Sequence, residues 1–311
     1  MHYLIIIAGP TAIGKTALAI DIAQSYGTEI ISADSRQIYQ ELVVGVARPS
    51  MVQLKQVKHH FIGSVSIKQT YNAGTFAQDT ETVLVELFQK HRVVVLVGGS
   101  GLYIRALVEG LDKFPEVSEE VRQKWVRIYQ EHGVDFLANT LQQIDADYYA
   151  VVDKSNPQRL MRALEVWDAS GKPYSTFLSQ LSPTKKPYEV IPIVLEMPRS
   201  LLYERINTRV HDMMHAGLLE EVKNLRIHRD NPALKTVGYK ELNEVLDGIK
   251  TLETAVGEIQ QHTRNYAKRQ ITWFNKYLIG PRFNPEEKDK ILAYLKKNIH
   301  DKVNLDYSNN L

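Results

Sequence analysis

The chain has no cysteine. That absence excludes disulfide scaffolds, thiolate zinc sites, iron–sulfur clusters and cysteine nucleophiles, and it suits a reducing compartment. Long apolar runs are missing as well. The stretch from Leu4 to Ala8 falls far short of the roughly 18 residues of a membrane span and of a signal-peptide core. The expectation is a cytoplasmic protein with no membrane partner. Charge of one sign is also scarce: 38 Lys and Arg face 36 Asp and Glu, a net +2 at pH 7, too small a bias to announce a polyanionic partner by itself. At about 150 residues per domain, 311 residues imply one large α/β domain or a core with a smaller companion. Such a length can bury a core without cross-links or metals.

What is present is an alternation of strands and helices. Tyr3 to Ala8 reads as a buried strand, and Thr16 to Tyr26 as a helix with apolar residues at Leu18 and Ile22. Glu29 to Ala33 is a second strand. A loop with His59 and His60 precedes an amphipathic helix from Phe76 to Gln89, a third strand from Arg92 to Val97, and a helix from Gly101. Alternation of this kind implies parallel βαβ units with ligands at the carboxyl ends of the strands. From Pro115 to Pro183 only helical periodicity remains, before a strand returns at Tyr188 to Leu195. The expected architecture is therefore a parallel-sheet core of residues 1–114 and 186–311, with an inserted all-helical domain of residues 115–185. Helices at Leu201 to Met214, Leu218 to Leu225 and Thr251 to Leu278 make the C-terminal region helical.

Gly9-Pro10-Thr11-Ala12-Ile13-Gly14-Lys15-Thr16 fits G-x-x-x-x-G-K-[ST] between a strand and a helix. Backbone N–H groups and the helix dipole wrap a phosphate there. Lys15 neutralises phosphate oxygens, and the Thr16 hydroxyl suits Mg²⁺. The strand that ends Val97-Gly98-Gly99-Ser100 lacks the carboxylate that phosphoryl-transfer enzymes use to hold the metal. The carboxylate is instead Asp34, at the tip of the second strand. It reads either as a general base facing the crevice or as a cap on the turn. A small-molecule or nucleotide kinase using ATP at this loop and a non-catalytic RNA-binding module stand as alternatives at this point.

The residues also resemble a family. G-P-T-A-x-G-K-T at Gly9, S-A-D-S-R-Q-I-Y at Ser32 and G-G-S-G-L-Y-I-R-A-L at Gly98 are similar to blocks of the tRNA dimethylallyltransferases, or tRNA isopentenyltransferases. So are Pro157 to Glu165, Val237-Gly238-Tyr239 with Glu241, and Ala267 to Phe274. The resemblance implies a phosphate-loop (P-loop) NTPase-like core with a helical insertion. It implies transfer of the dimethylallyl group of dimethylallyl diphosphate to the exocyclic amine of the adenine 3′ of the anticodon, in tRNAs that read codons beginning with U. On that basis Gly9 to Thr16 bind diphosphate, with Mg²⁺ at Thr16. Asp34 accepts the amine proton, and Ser100 stands beside the reacting centre. Asp34, Ser35, Arg36, Gln37, Ser100, Arg122, Gln158, Arg159, Leu160, Met161 and Arg162 contact the anticodon stem-loop. Ile13 stands where many members have Ser or Thr, Ser100 replaces a common Thr, and Val46 stands where a hydroxyl is common. A monomer is expected.

An allylic diphosphate ionises readily, so catalysis consists mainly in stabilising the departing charge. Arg205 and Arg209, four apart on one helix, share a face and either close over the diphosphate or form a solvated basic stripe. From Gln261 to Arg282 there is no acidic residue, while Arg264, Lys268, Arg269, Lys276 and Arg282 alternate with Tyr266, Trp273, Phe274 and Tyr277. Arg264, Lys268 and Arg269 are expected to meet RNA phosphates. The aromatics read as core or as stacking platforms for a flipped base. The adjacent histidines share no helix face and are read as structural.

Overall fold

The structure, a computed structural model, describes residues 1–178 and 186–308. The expected end of the insertion at residue 185 lies outside the described residues. The chain divides into two compact units, Met1–Val108 with Lys185–Leu311, and Glu109–Thr184.

Runs of Ile, Leu and Val without polar interruption make strands that are buried on both faces. In the first unit β1 (His2–Ala8), β2 (Ile30–Ala33), β3 (His59–His60), β4 (Val93–Gly98), β5 (Tyr188–Leu195) and β6 (Arg282–Phe283) form one sheet. Its order is β3-β2-β4-β1-β5-β6 and every pairing is parallel. Helix α1 (Lys15–Ser25) connects β1 to β2, while α2 (Met51–Gln56) precedes β3 and α3 (Ala73–Phe88) leads to β4. Helix α4 (Gly101–Val108) follows β4. Apolar side chains of β1, β4 and β5 pack with Leu18 and Ile22 of α1 and with Ala267 farther along the chain.

The regular structure of the second unit is all helical among its described residues. Helix α5 (Glu119–Ile144) is broken at Gly133, where φ is 77°. Helices α6 (Ala146–Val151) and α7 (Pro157–Ser170) follow. Trp125, Leu137, Leu141, Leu160 and Leu164 form its core, with Tyr148 and Tyr149 packed against it. Lys124 and the Trp125 indole both donate to Asp168, at 2.7 and 3.2 Å, which ties α5 to α7.

Back in the first unit, α8 (Arg199–His215), α9 (Leu218–Asn224), α10 (Tyr239–Leu246), α11 (Leu252–Tyr277) and α12 (Lys288–Ser308) complete the chain. The sequence pattern missed β3, β6, α2, α10 and α12. Two-residue strands carry no periodicity, and they exist here because β2 and β5 each offer a free edge. His59 and His60, expected in a loop, are thus the outermost strand, and His60 pairs with Glu29 at 2.6 Å. Among the described residues no helix is long and apolar enough to cross a membrane.

The register brings three strand ends together. Ala8 pairs with Gly98 and Gly98 with Ala33, so β1, β4 and β2 end at one level. Gly98 is required there, because a Cβ would lie 2.1 Å from the Ala33 carbonyl oxygen. Gly98→Ala is expected to cost about 2–3 kcal/mol, read as a lower urea midpoint with an unchanged slope.

Candidate active site

Three loops leave the sheet side by side. Residues 9–14 follow β1 and enter α1 through Gly14, at φ 103°, while Ala12 sits at φ 64°. An alanine in left-handed backbone is strained and persists where its surroundings over-determine it. Lys15 Nζ donates to the Gly9 and Pro10 carbonyls at 3.0 and 2.7 Å. Burial pushes this lysine down to about 7, the Arg209 charge acts the same way, and Asp34 opposes both.

Asp34 opens the loop after β2. Its Oδ1 accepts the N–H groups of Arg36 and Gln37 at 2.9 and 3.1 Å. Oδ1 thus caps the turn, as one of the two readings expected, and the residue also lines the cavities described below. Ser100 Oγ, at the β4 tip, accepts the Ser35 N–H at 2.9 Å and joins the two loops. Arg36 is held by the Pro232 and Ala233 carbonyls, and the Gln37 amide by the Val46 and Ala47 carbonyls.

Arg209 reaches from α8 into this centre. It donates to Thr11 Oγ1 and to the Ala47 carbonyl, both at 3.3 Å. Burial lowers its guanidinium from the ordinary value, against the pull of Asp34. Arg205 sits exposed on the rim of the same cavity. Of the two readings of this pair, Arg209 belongs to the site interior and Arg205 to its edge.

Sequence reasoning missed the group that holds the Ala47 loop. The Glu221 carboxylate of α9 accepts the N–H groups of Val43, Val44 and Gly45 and the Tyr239 hydroxyl, at 2.6–3.1 Å. Ala47 itself has φ 46°. Tyr239 belongs to one of the blocks that resemble the family, but nothing near Glu221 in the chain marks it.

Two cavities meet at these residues. One of about 600 Å³ is lined by Lys15, Thr16, Ser32, His59 and Gln270. The other, about 910 Å³, is lined by Arg36, Val210, Met213, Lys240 and His262. Thr11, Asp34, Val46, Arg209 and Tyr266 line both.

The remaining expected residues divide. Ile13 is fully buried, so only its backbone is available to a ligand. Arg122, Gln158, Arg159, Met161 and Arg162 lie in the helical unit, the first three exposed. Leu160 is a correction: its side chain is fully buried in that unit's core and has no surface to offer RNA. Lys268 and Arg269 are exposed on α11. Arg264 is engaged within the chain, donating to Asn207 at 2.7 Å and to Gln261 at 2.9 Å, so it braces α11 against α8. Phe274 is core, at 1% exposure, whereas Tyr266 lines both cavities with Arg269 over its ring. Among the described residues no cluster of three or more His, Asp or Glu could cage a metal.

Comparison with known proteins gives a consistent result. The sequence profile described as IPP transferase matches residues 37–277. The tRNA dimethylallyltransferase of Christiangramia forsetii is 49% identical over 275 residues, 88% of this chain and 91% of that protein. The tRNA dimethylallyltransferase 1 of Bacteroides fragilis is 42% identical over 296 residues, 95% of this chain and 98% of its own. Among solved structures, the full-length tRNA isopentenylpyrophosphate transferase of Bacillus halodurans superposes with a TM-score of 0.72 at 30% identity, covering 99% of this chain and 100% of that one.

The two roles of Asp34 separate by substitution. Asp34→Asn keeps an oxygen for the Arg36 and Gln37 N–H groups and is expected to unfold in urea as the unsubstituted protein does. Asp34→Ala leaves both donors unpaired and is expected to lose about 1 kcal/mol.

Proposed function

Because the chain belongs to the IPP transferase family, we propose that it transfers the dimethylallyl group of dimethylallyl diphosphate to tRNA. The acceptor is the exocyclic amine of the adenine 3′ of the anticodon, in tRNAs that read codons beginning with U. The observation that carries this reading is that Thr11, Asp34 and Arg209 line both cavities. A donor whose diphosphate occupies the P-loop cavity and a base entering by the other cavity would meet at these three residues.

The chemistry follows from the groups there. The C1–O bond of the donor breaks as the C1–N bond forms, diphosphate leaves, and the amine proton passes to Asp34 Oδ2. The leaving charge is met by the loop N–H groups, Lys15 and Arg209, which are preorganised and largely withdrawn from water, where such interactions are strongest. A bound polyanion favours the charged form of Lys15. The carboxylate acts as base on an amine that becomes acidic as it alkylates, and proton transfer of this kind contributes about 10²–10⁴-fold. Flipping the base out of the anticodon stack costs a few kcal/mol. Stacking on Tyr266 and phosphate contacts from Lys268, Arg269 and the exposed arginines of the helical unit offset that cost.

Mg²⁺ fits the donor set. The P-loop cavity offers the Thr16 hydroxyl, and among the described residues no three or more His, Asp or Glu are grouped to hold a metal, which suits an ion that keeps several waters and binds through substrate phosphates. Held by Thr16 and the diphosphate, the ion would supply further charge neutralisation. On this reading the protein acts on tRNA as a monomer in the cytoplasm.

The test is incubation of the protein with Mg²⁺, labelled dimethylallyl diphosphate and an unmodified tRNA bearing adenine 3′ of its anticodon. Label is expected to enter that adenine. Asp34→Asn is expected to lower kcat by about 10²–10⁴-fold, and Lys15→Ala to abolish transfer. ATP consumption without label transfer would sink the reading and favour a kinase.

A further inference from the structure

Gln270 lies in the Ala267 to Phe274 block, within the stretch of α11 whose composition suggests RNA contact. Its position is different. The side chain is buried, at 7% exposure, and its amide is paired at both ends. Oε1 accepts the Thr11 N–H at 2.9 Å, and Nε2 donates to the Gly99 carbonyl at 2.9 Å.

We propose that Gln270 is a positioning residue that keys the diphosphate loop to the loop bearing the base. The connection is short and continuous. Thr11 is joined through the Gln270 amide to Gly99, and the next residue, Ser100, accepts the Ser35 N–H beside Asp34. Parallel pairing sets where the three loops begin, but each loop beyond its strand end is free to shift. The amide removes that freedom between Thr11 and the β4 tip, and Ser100 carries the constraint on to Asp34.

The identity of the residue follows from the two partners. One end must accept and the other donate, so glutamate loses the Gly99 bond and methionine loses both. Asparagine is one methylene too short to span the gap. Residue 99 is matched to this amide as well, since a Cβ there would lie 2.4 Å from Nε2. Gly99→Ala therefore displaces the same amide from the opposite side while leaving Gln270 in place.

The proposal rests on the transfer reaction above, in which the leaving oxygen and the attacking amine must be held on either side of one carbon, with Asp34 within reach of that amine. Reacting atoms need to lie ~3–3.5 Å apart, and a shift of about 1 Å costs on the order of 10²-fold in rate. The effect of losing the bridge should therefore fall on turnover rather than on tRNA binding.

The test uses the full chain with Gln270→Met, Gln270→Glu and Gly99→Ala, measured for kcat, for KM of each substrate, for melting temperature and for hydrogen exchange of the Thr11 amide. All three variants are expected to lose roughly 10²-fold in kcat with an unchanged KM for tRNA. In Gln270→Met and Gly99→Ala the Thr11 amide should exchange about tenfold faster, while amides of β1 keep their protection. Normal turnover with a raised KM for tRNA would overturn the proposal and make Gln270 an RNA contact. Exchange that rises equally in β1 would reduce it to a packing residue. Should Gln270→Met fail to fold, Gly99→Ala carries the test. If the unsubstituted protein transfers no label, the functional reading fails on its own, and Thr11 exchange still decides whether the bridge exists.

Discussion

Parallel pairing that brings Ala8, Gly98 and Ala33 to one level is the constraint on which the rest of this structure depends. It starts three chemically different loops from a common edge: a phosphate cradle, a carboxylate turn and a serine-tipped helix entry. The close approach at Gly98 allows no side chain between β4 and β2. Buried on both faces by apolar side chains, the strands cannot slide without exposing them, so the sheet holds the loops with the stiffness of a packed core.

Beyond the strand ends, polar contacts take over. Asp34 caps its own turn through Oδ1, which fixes the direction of its carboxylate at the cavity wall. Arg209 is held between Thr11 and the Ala47 carbonyl, and Ala47 belongs to a loop gathered by Glu221. Burial disfavours the charge of Lys15 and of Arg209, the Arg209 charge further disfavours that of Lys15, and Asp34 partly compensates both. An anionic ligand would complete that compensation, so the cavity is electrostatically suited to an anion. The Gln270 amide closes the set by linking two of the loops where the sheet no longer can.

Several of these features were legible in the chain. The P-loop, the strand-tip aspartate and the long final helix of the site were all visible in short-range pattern, because each depends on neighbours within one or two turns. Other features misled or stayed hidden. Arg264 looks like a free cation in the sequence and is a brace between α8 and α11. Leu160 sits in a run of RNA-facing candidates, yet helical periodicity turns it into the core of its unit. Glu221 lies 176 residues from Gly45, whose N–H it accepts, and no local signal connects them.

The sequence by itself determined the four longer strands, the phosphate-loop motif, the strand-tip carboxylate and the family to which the chain belongs, since all of these are written in contiguous residues. Only the tertiary structure decided which of many polar side chains face one another. Arg209 is held in the interior of the site, by Thr11 and Ala47, while Arg205 on the same face of α8 lines the cavity from an exposed position. Gln270 becomes a bridge because α11 passes between two loops that are 259 and 171 residues away in the chain. Hydrogen bonds at such separations are paid for by the whole core, so they leave no trace in the spacing of residues along the chain.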